Sequence, residues 1–134
     1  MSNKIPHHAL VVVADGTGAR LFRNAGDAHQ ISLVADGELK PSDLLNDGPA
    51  GKRPIESSSQ ETDEATFAKQ LANELYRRAY SGNFAALVLI ADPQTLGQIR
   101  PTLHKEVKER LVAEIDKTLT HASLPELEKA LRMG

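Results

Sequence analysis

Short apolar runs separated by glycine-containing turns occupy the first third of the chain. Residues 10–14 read Leu-Val-Val-Val-Ala, a β-branched run that is too short for a helix and that ends at Asp-Gly-Thr-Gly. Two further half-apolar segments follow, and the turn Asn-Ala-Gly-Asp separates them. The pattern predicts three strands in an antiparallel meander, at about residues 9–14, 19–24 and 29–35.

Helical and strand-like patterns alternate in the second half of the chain. Apolar residues recur at helical spacing and predict a long amphipathic helix at about residues 63–81, which Gly82 is placed to end. The run Ala-Ala-Leu-Val-Leu-Ile has no polar position, so it predicts a strand at about residues 85–91 that is buried on both faces. Asp92 and Pro93 then read as an N-cap and a first helical residue, which predicts a short helix.

The segment between positions 107 and 119 fits two patterns. Its apolar residues keep helical spacing, but Leu111, Ala113 and Ile115 also alternate as a strand would. Periodicity alone favours a helix. A helical piece at about residues 102–109 precedes this segment, and a terminal helix follows from about residue 124 with its acidic residues early and its basic residues late.

A stretch without hydrophobic period separates the meander from the long helix, at about residues 36–62. It is rich in glycine, proline and serine, and Lys52 and Arg53 stand beside Gly48 and Gly51. We expect a long flexible loop, because connections of this length inside a small domain are usually functional or disordered. Its basic tip can contact RNA phosphate or an acidic protein. A merely solvated loop explains the same two charges.

The composition fits one folded domain over residues 1–134. Hydrophobic residues make up 40% of the chain and charged residues 25%, which excludes a disordered tail. The apolar runs are too short to cross a bilayer, the first residues lack a signal-peptide pattern, and there is no cysteine. We therefore expect a cytoplasmic protein without membrane insertion. The net charge of −2 disfavours broad phosphate neutralisation but leaves room for a local basic patch.

The predicted order of elements resembles that of RNase-H-like domains, and two segments make the resemblance more specific. The opening hairpin, with Val-Val-Ala-Asp-Gly at residues 12–16, resembles that of the bacterial host-attachment proteins. These are related to the central domain of archaeo-eukaryotic release factors and Pelota. The second segment lies within residues 89–128 and includes Ile-Ala-Asp-Pro-Gln-Thr-Leu and Asp-Lys-Thr-Leu-Thr, which resemble the signature of the same family.

The resemblance implies an α/β fold with a mixed five-stranded sheet, in which a three-stranded antiparallel meander joins two parallel strands and helices flank the sheet. It implies that the ambiguous segment is a strand at about residues 110–117, against the periodicity. The strand that holds Val13 should lie beside the strand that holds Leu89, in parallel. The implied function is an intracellular binding or regulatory module, associated with the ribosome or RNA, that affects host-cell attachment indirectly.

The chain departs from release factors at the position of their catalytic tip. Those proteins carry Gly-Gly-Gln between the third strand and the first long helix, where the glutamine promotes peptidyl-tRNA hydrolysis. Here the region reads Gly-Pro-Ala-Gly-Lys-Arg-Pro at residues 48–54, and the later Gln60 lacks preceding glycines. We therefore expect no termination activity, and more generally neither catalysis nor a cofactor.

The competing hypothesis is a phosphate-handling enzyme. Asp15, Gly16, Thr17 and Gly18 resemble the phosphate loop of actin-like ATPases, and backbone amides in such a turn can bind phosphate. However, a hairpin turn with two glycines has the same sequence, and the chain shows no second phosphate loop.

A metal-dependent nuclease is the other form of the enzyme hypothesis. In an RNase-H arrangement Asp15 and Asp92 lie at the carboxyl ends of adjacent parallel strands, where open α/β sheets bind ligands. With Glu64 they can imitate the metal-binding carboxylates of a nuclease. A turn residue at Asp15 and a helix cap at Asp92 explain both residues fully and are the favoured interpretation. The five histidines show no ligand spacing, so the sequence predicts no zinc site.

Overall fold

The computed structural model describes the backbone of residues 5–40 and 60–133, and the side chains of residues 5–40 and 66–132. Strands and helices alternate after an initial run of three strands. The strands are β1 (Leu10–Asp15), β2 (Gly18–Asn24), β3 (Leu33–Leu39), β4 (Leu87–Ala91) and β5 (Leu111–Ile115). The helices are α1 (Gln60–Tyr80), α2 (Pro93–Ile99), α3 (Lys105–Lys108) and α4 (Leu124–Met133), with a 3-10 turn at Arg100–Thr102.

All five strands form one mixed sheet in the order β3-β2-β1-β4-β5. The pairs β1–β2 and β2–β3 are antiparallel, whereas β1–β4 and β4–β5 are parallel. In the β1–β4 pair, Val12 lies opposite Leu89 and Val13 opposite Ile90. The predicted fold class is confirmed, because this mixed sheet with flanking helices is consistent with an RNase-H-like fold.

The central strands are apolar because both faces of the sheet are covered. Along β1, Leu10 and Val12 join a core cluster with α1, α2 and α3, whereas Val11 and Val13 join a second cluster with α4. All five residues of β4 are buried, as the unbroken apolar run predicted. A strand buried on two sides has no position for a polar side chain without a partner, and this explains the run.

The helix α1 begins three residues earlier than predicted and ends at the predicted glycine. Its buried stripe follows the helical period and consists of Phe67, Ala68, Leu71, Ala72, Leu75 and Ala79. The end is a Schellman motif: Gly82 has φ of +78°, its N–H donates to Ala79 O at 3.0 Å, and Asn83 N–H donates to Arg78 O at 2.7 Å. Glycine fits there because a side chain strains this backbone conformation.

The strand β5 was the point at which periodicity and resemblance disagreed, and the helix favoured by periodicity is wrong. Leu111 pairs with Leu87 of β4 and packs on the α1 side of the sheet. Ala113 and Ile115 pack on the α4 side. An irregularity in the pairing accommodates Val112, so Leu111 faces one side of the sheet and Ala113 and Ile115 face the other, although the three residues alternate regularly along the chain.

The strand β3 lies four residues later than the predicted 29–35. Residues before it form a turn around the Asp27 carboxylate, whose Oδ1 accepts hydrogen bonds from the amides of His29 at 2.9 Å and Gln30 at 2.8 Å. Because an Asx turn of this kind occupies the backbone donors, these residues cannot join the ladder.

At its other end β3 continues past the point where the aperiodic stretch was predicted to begin. Asp36 is an extra residue between the pairs Leu21–Gly37 and Phe22–Ala35, and Gly37 has φ of +124°. This β-bulge lets the strand reach Leu39 despite the polar sequence. A glycine was read as a loop signal where it marks a bulge.

Three other predictions concern the segment after α2, the long loop and membrane spans. The predicted helical piece 102–109 is divided into the 3-10 turn and α3. The loop residues Gly48, Gly51, Lys52 and Arg53 lie outside the described residues, and so does the side chain of Glu64. Within residues 5–40 and 60–133, no helix combines the length and hydrophobicity that a membrane span requires.

Candidate functional site

The parallel strands β1 and β4 end together at one edge of the sheet. Ala14 of β1 pairs with Ala91 of β4, so Asp15 and Asp92 are the next residues of two adjacent strands. This is the edge at which open α/β sheets usually bind ligands. The hydrogen bonds of the two carboxylates therefore decide what this edge can do.

Asp15 closes the hairpin between β1 and β2. Its Oδ1 accepts hydrogen bonds from the Thr17 amide at 2.7 Å and from the Thr17 hydroxyl at 2.8 Å. Burial alone would raise the pKa of the Asp15 carboxyl. Hydrogen bonds from Thr17, the Thr120 hydroxyl and the Gly18 amide outweigh this effect and lower the pKa. The Asp15 carboxylate thus binds donors of its own turn, and the loop after β5 helps to lower its pKa through Thr120.

Arg20 holds that loop against the hairpin. Its Nη1 donates to Thr120 O at 3.0 Å and to Ala122 O at 2.9 Å. The guanidinium carbon lies 4.9 Å from the centre of the Phe22 ring, a cation–π contact. These contacts hold the backbone of Thr120 and Ala122 beside the β1–β2 hairpin.

Asp92 is the N-cap of α2. Its Oδ2 accepts from the Thr95 amide at 3.1 Å and its Oδ1 from the Thr95 hydroxyl at 2.7 Å. Pro93 occupies the first turn, where its missing N–H has no partner to lose. The carboxylate satisfies donors that the first turn of every helix leaves open.

Of the predicted trio Asp15, Asp92 and Glu64, the structure describes the side chains of the two aspartates. The structure brings the first two to one edge, and each has a structural role there. Glu64 lies near the start of α1, and its side chain is not described. Among the described side chains, no three or more histidines, aspartates or glutamates are grouped so that they could hold a metal ion.

Sequence reasoning missed Asn24, which reads as an ordinary turn residue. Its side chain is fully buried. The amide Nδ2 donates to Ile5 O at 3.0 Å and Pro6 O at 3.2 Å, while Oδ1 accepts from Gly26 N at 2.9 Å and Ser32 N at 3.0 Å. One side chain thus connects the N-terminal segment to the turn before β3, which is a structural role.

Sequence reasoning also missed a row of rings on the outer face of α1. The three phenylalanines are buried, whereas the side chain of Tyr80 is 79% exposed. The Tyr76 and Tyr80 ring centres lie 6.1 Å apart, and the Tyr76 ring stacks on His104 with centres 4.1 Å apart and planes 26° apart. We call Tyr76, Tyr80 and His104 the ring row. Two tyrosines four residues apart on the polar face of a helix were the available signal.

The fold and the sheet edge define an α/β protein of RNase-H-like architecture whose strand-end carboxylates close a turn and cap a helix. The chain matches Bacterial archaeo-eukaryotic release factor family 12 over residues 8–131. Because this match spans nearly the whole chain, the protein belongs to that family. The release-factor-like relation implied by the sequence is confirmed, although the family description does not mention host attachment. No curated protein matches the chain.

Proposed function

We propose that this protein is a non-catalytic binding or regulatory module of the release-factor-like family that associates with the ribosome or with RNA. Family membership supports a translation-related role. The observation that carries the non-catalytic part is the engagement of Asp15 by Thr17 and of Asp92 by Thr95. In addition, the Gly-Gly-Gln sequence required for peptidyl-tRNA hydrolysis is missing between β3 and α1.

We further propose that residues 48–54 contact the partner. This segment replaces the catalytic tip of release factors in the order of elements, and it carries Lys52 and Arg53 among glycines and prolines. Two adjacent cations can bind phosphate groups or an acidic protein surface. Such contacts weaken as salt increases, because counterions screen exposed charges.

Capture of partners from cell extract tests this proposal. Tagged wild-type protein should retrieve ribosomes or RNA, identified by sedimentation, RNA sequencing and mass spectrometry. The double variant Lys52→Glu/Arg53→Glu should fold with unchanged stability, if these charges lie on a loop as the sequence predicts, and should retrieve less at low salt. Lys129→Glu/Arg132→Glu is the matched control, because both residues are exposed on α4. Equal retrieval by wild type and the loop variant would show that the loop only connects β3 to α1 and does not contact the partner.

The alternative, a metal-dependent nuclease or phosphate-handling enzyme that uses Asp15 and Asp92, has its own test. Purified protein with Mg²⁺ or Mn²⁺ should not turn over RNA, DNA or peptidyl-tRNA. Asp92→Asn is informative because asparagine is an equally good N-cap, so this variant keeps the fold. Turnover by wild type that disappears in Asp15→Asn or Asp92→Asn would overturn the non-catalytic proposal.

An effect on host-cell attachment, if the organism shows one, is proposed to be indirect. The expected location of the protein is the cytoplasm, where a ribosome- or RNA-associated module can change the production of other proteins. Deletion followed by complementation tests this point. Wild type should restore attachment, and the Lys52→Glu/Arg53→Glu variant should restore it less well. Finding the protein itself on the cell surface by fractionation would contradict the indirect mechanism.

A further inference from the structure

We infer that the outer face of α1, together with the start of α3, is a stacking platform for single-stranded RNA. The inference deepens the proposed function and rests on it for the class of partner. It assigns a second contact surface, on rigid elements rather than on the loop. The surface consists of the ring row, with cationic side chains along and beside it.

One end of the ring row is exposed and can stack on a nucleotide base. Tyr76 stacks on His104, and this contact holds both rings in place before any ligand binds. Tyr80 continues the row beyond Tyr76 and is 79% exposed. Nucleotide bases stack on such rings without sequence preference, because every base has an aromatic face.

The remaining residues of this helix face suit a nucleic-acid backbone. One strip along α1 consists of Lys69, Asn73, Tyr76, Arg77 and Tyr80, because each of them lies three or four residues from another member. The strip contains two cations and an amide but no carboxylate. Its polar members are donors that can bind phosphate oxygens.

The acidic neighbour of the strip is compensated. Glu74 is largely buried, with 15% of its side chain exposed. Its carboxylate lies 3.2 Å from Arg77 Nη1 and 3.0 Å from Arg78 Nε. Arg78 Nη1 also lies 3.8 Å from Asp36 Oδ2, and Asp36 pairs with Arg23 at 3.1 Å. These three arginines therefore exceed the two carboxylates by one positive charge.

The start of α3 places two lysines beyond the ring row. The Lys108 amide donates to His104 O at 3.0 Å, so Lys108 lies one helical turn beyond the stacked histidine. Lys105 is also exposed, and two exposed glutamates accompany these lysines: Glu106 in the helix and Glu109 at its C-cap. Cations therefore lie on both elements that carry rings, although the chain as a whole has a net charge of −2.

Rings and cations in this arrangement favour a single strand over a duplex. A duplex keeps its base faces stacked inside, where an exposed tyrosine on a helix cannot reach them. A single strand can place a base on Tyr80 while its phosphates contact Lys69 and Arg77. Loss of one base–aromatic stack typically weakens such binding about ten-fold.

The tyrosine ring signals report directly on binding at the ring row, because the chain has two tyrosines and both lie there. The chain has no tryptophan. The full chain, with tyrosine rings labelled for NMR, is titrated with fluorescein-labelled oligo(U) and oligo(A) decamers while anisotropy is recorded. We expect saturable binding, a shift of the Tyr80 ring signals, about ten-fold weaker binding by Tyr80→Ala, and near wild-type binding by Tyr80→Phe. Tyr80 is chosen because Tyr76 also packs against the core.

Charge variants provide the matched comparison. The variant Lys69→Ala/Lys108→Ala should bind the decamer more weakly than wild type. The control Lys129→Ala/Arg132→Ala, on the other side of the sheet, should bind it as wild type does. Duplex RNA should bind much more weakly than the single strand. The inference is overturned if Tyr80→Ala binds as wild type does, if ring signals do not move, or if duplex RNA binds as tightly as the single strand.

The outcome also separates this inference from the proposed function. If wild type captures ribosomes from extract but does not bind the decamers, the stacking platform is wrong and the ribosome-associated role stands. If wild type captures neither ribosomes nor RNA and does not bind the decamers, both proposals fail.

Discussion

Two regions of the molecule differ in whether their polar and aromatic groups are engaged within the fold. They are the sheet edge at Asp15 and Asp92 and the outer face of α1. At the edge, both carboxylates accept hydrogen bonds from amides and hydroxyls of nearby residues. On α1, the Tyr80 ring is 79% exposed and its neighbour Tyr76 is held in place by His104. The first region uses its polar groups to build the fold, while the second presents rings and cations to the solvent.

This difference shows that position in a fold is a weak guide to function until the hydrogen bonds are known. A carboxylate at the carboxyl end of a parallel strand is in the right place for a ligand. It is also in the right place to close a turn or cap a helix, and here those roles account for both aspartates. The exposed ring of Tyr80 has no comparable structural explanation, since an apolar ring on a helix surface is more stable when it is removed from water.

The largest expected effect is at Asn24, the most completely engaged polar side chain outside the two compared regions. Replacing it by Ala should lower the free energy of unfolding by about 3 kcal/mol, because several buried backbone groups lose their partner. Urea denaturation measures the loss. Asn73→Ala is the control, since that asparagine is exposed on α1 and should change stability by less than about 0.5 kcal/mol. Similar losses in the two variants would contradict this account.

A smaller effect is expected at Asp92. Asp92→Ala should cost about 1 kcal/mol, as is usual when an N-cap is lost, while Asp92→Ser should stay close to wild type because serine is also a good cap. Thermal or urea denaturation distinguishes the two variants. If Ala and Ser behave alike, the capping role assigned to Asp92 is insufficient and a ligand-binding role regains support.

The pH dependence of stability tests Asp15. Its pKa is lowered in the folded state, so its stabilising contribution is complete above the unfolded value near 3.9 and is lost as the pH falls through the folded pKa. Asp15→Asn should therefore lose less stability than wild type between about pH 5 and pH 3. Asp27 retains some acid sensitivity in the variant, since hydrogen bonds from the Gln30 and His29 amides also lower its pKa. Parallel stability curves for wild type and Asp15→Asn would count against the turn assignment.

The smallest effect on stability is expected where the effect on binding is largest. Tyr80→Ala should change the free energy of unfolding by less than about 0.5 kcal/mol, because the ring is mostly in water. Urea denaturation of this variant beside Asn24→Ala completes the comparison between an engaged and an exposed polar surface. A large loss at Tyr80 would mean that the ring row is part of the packing, and its role in binding would need another argument.

Local sequence was sufficient where neighbouring residues define both the element and its boundary. The apolar stripe and Gly82 define the end of α1, the run at β4 shows burial on two faces, and Asp92 with Pro93 marks the start of α2. In each case the relevant contacts are within a few residues or follow from one repeated period. The hairpin at Asp15 was predictable for the same reason.

Tertiary structure decided what depends on residues far apart in the chain. Pairing with β4 makes residues 111–115 a strand although the spacing of their apolar residues also fits a helix. Hydrogen bonding to β4 and burial of side chains in both core clusters stabilise the strand more than the local spacing favours a helix. The stacking of Tyr76 on His104 and the reach of Arg20 to Thr120 arise only when α1, α3 and the loop after β5 pack on the sheet. Local patterns specify which elements form, but only their packing determines which side chains meet.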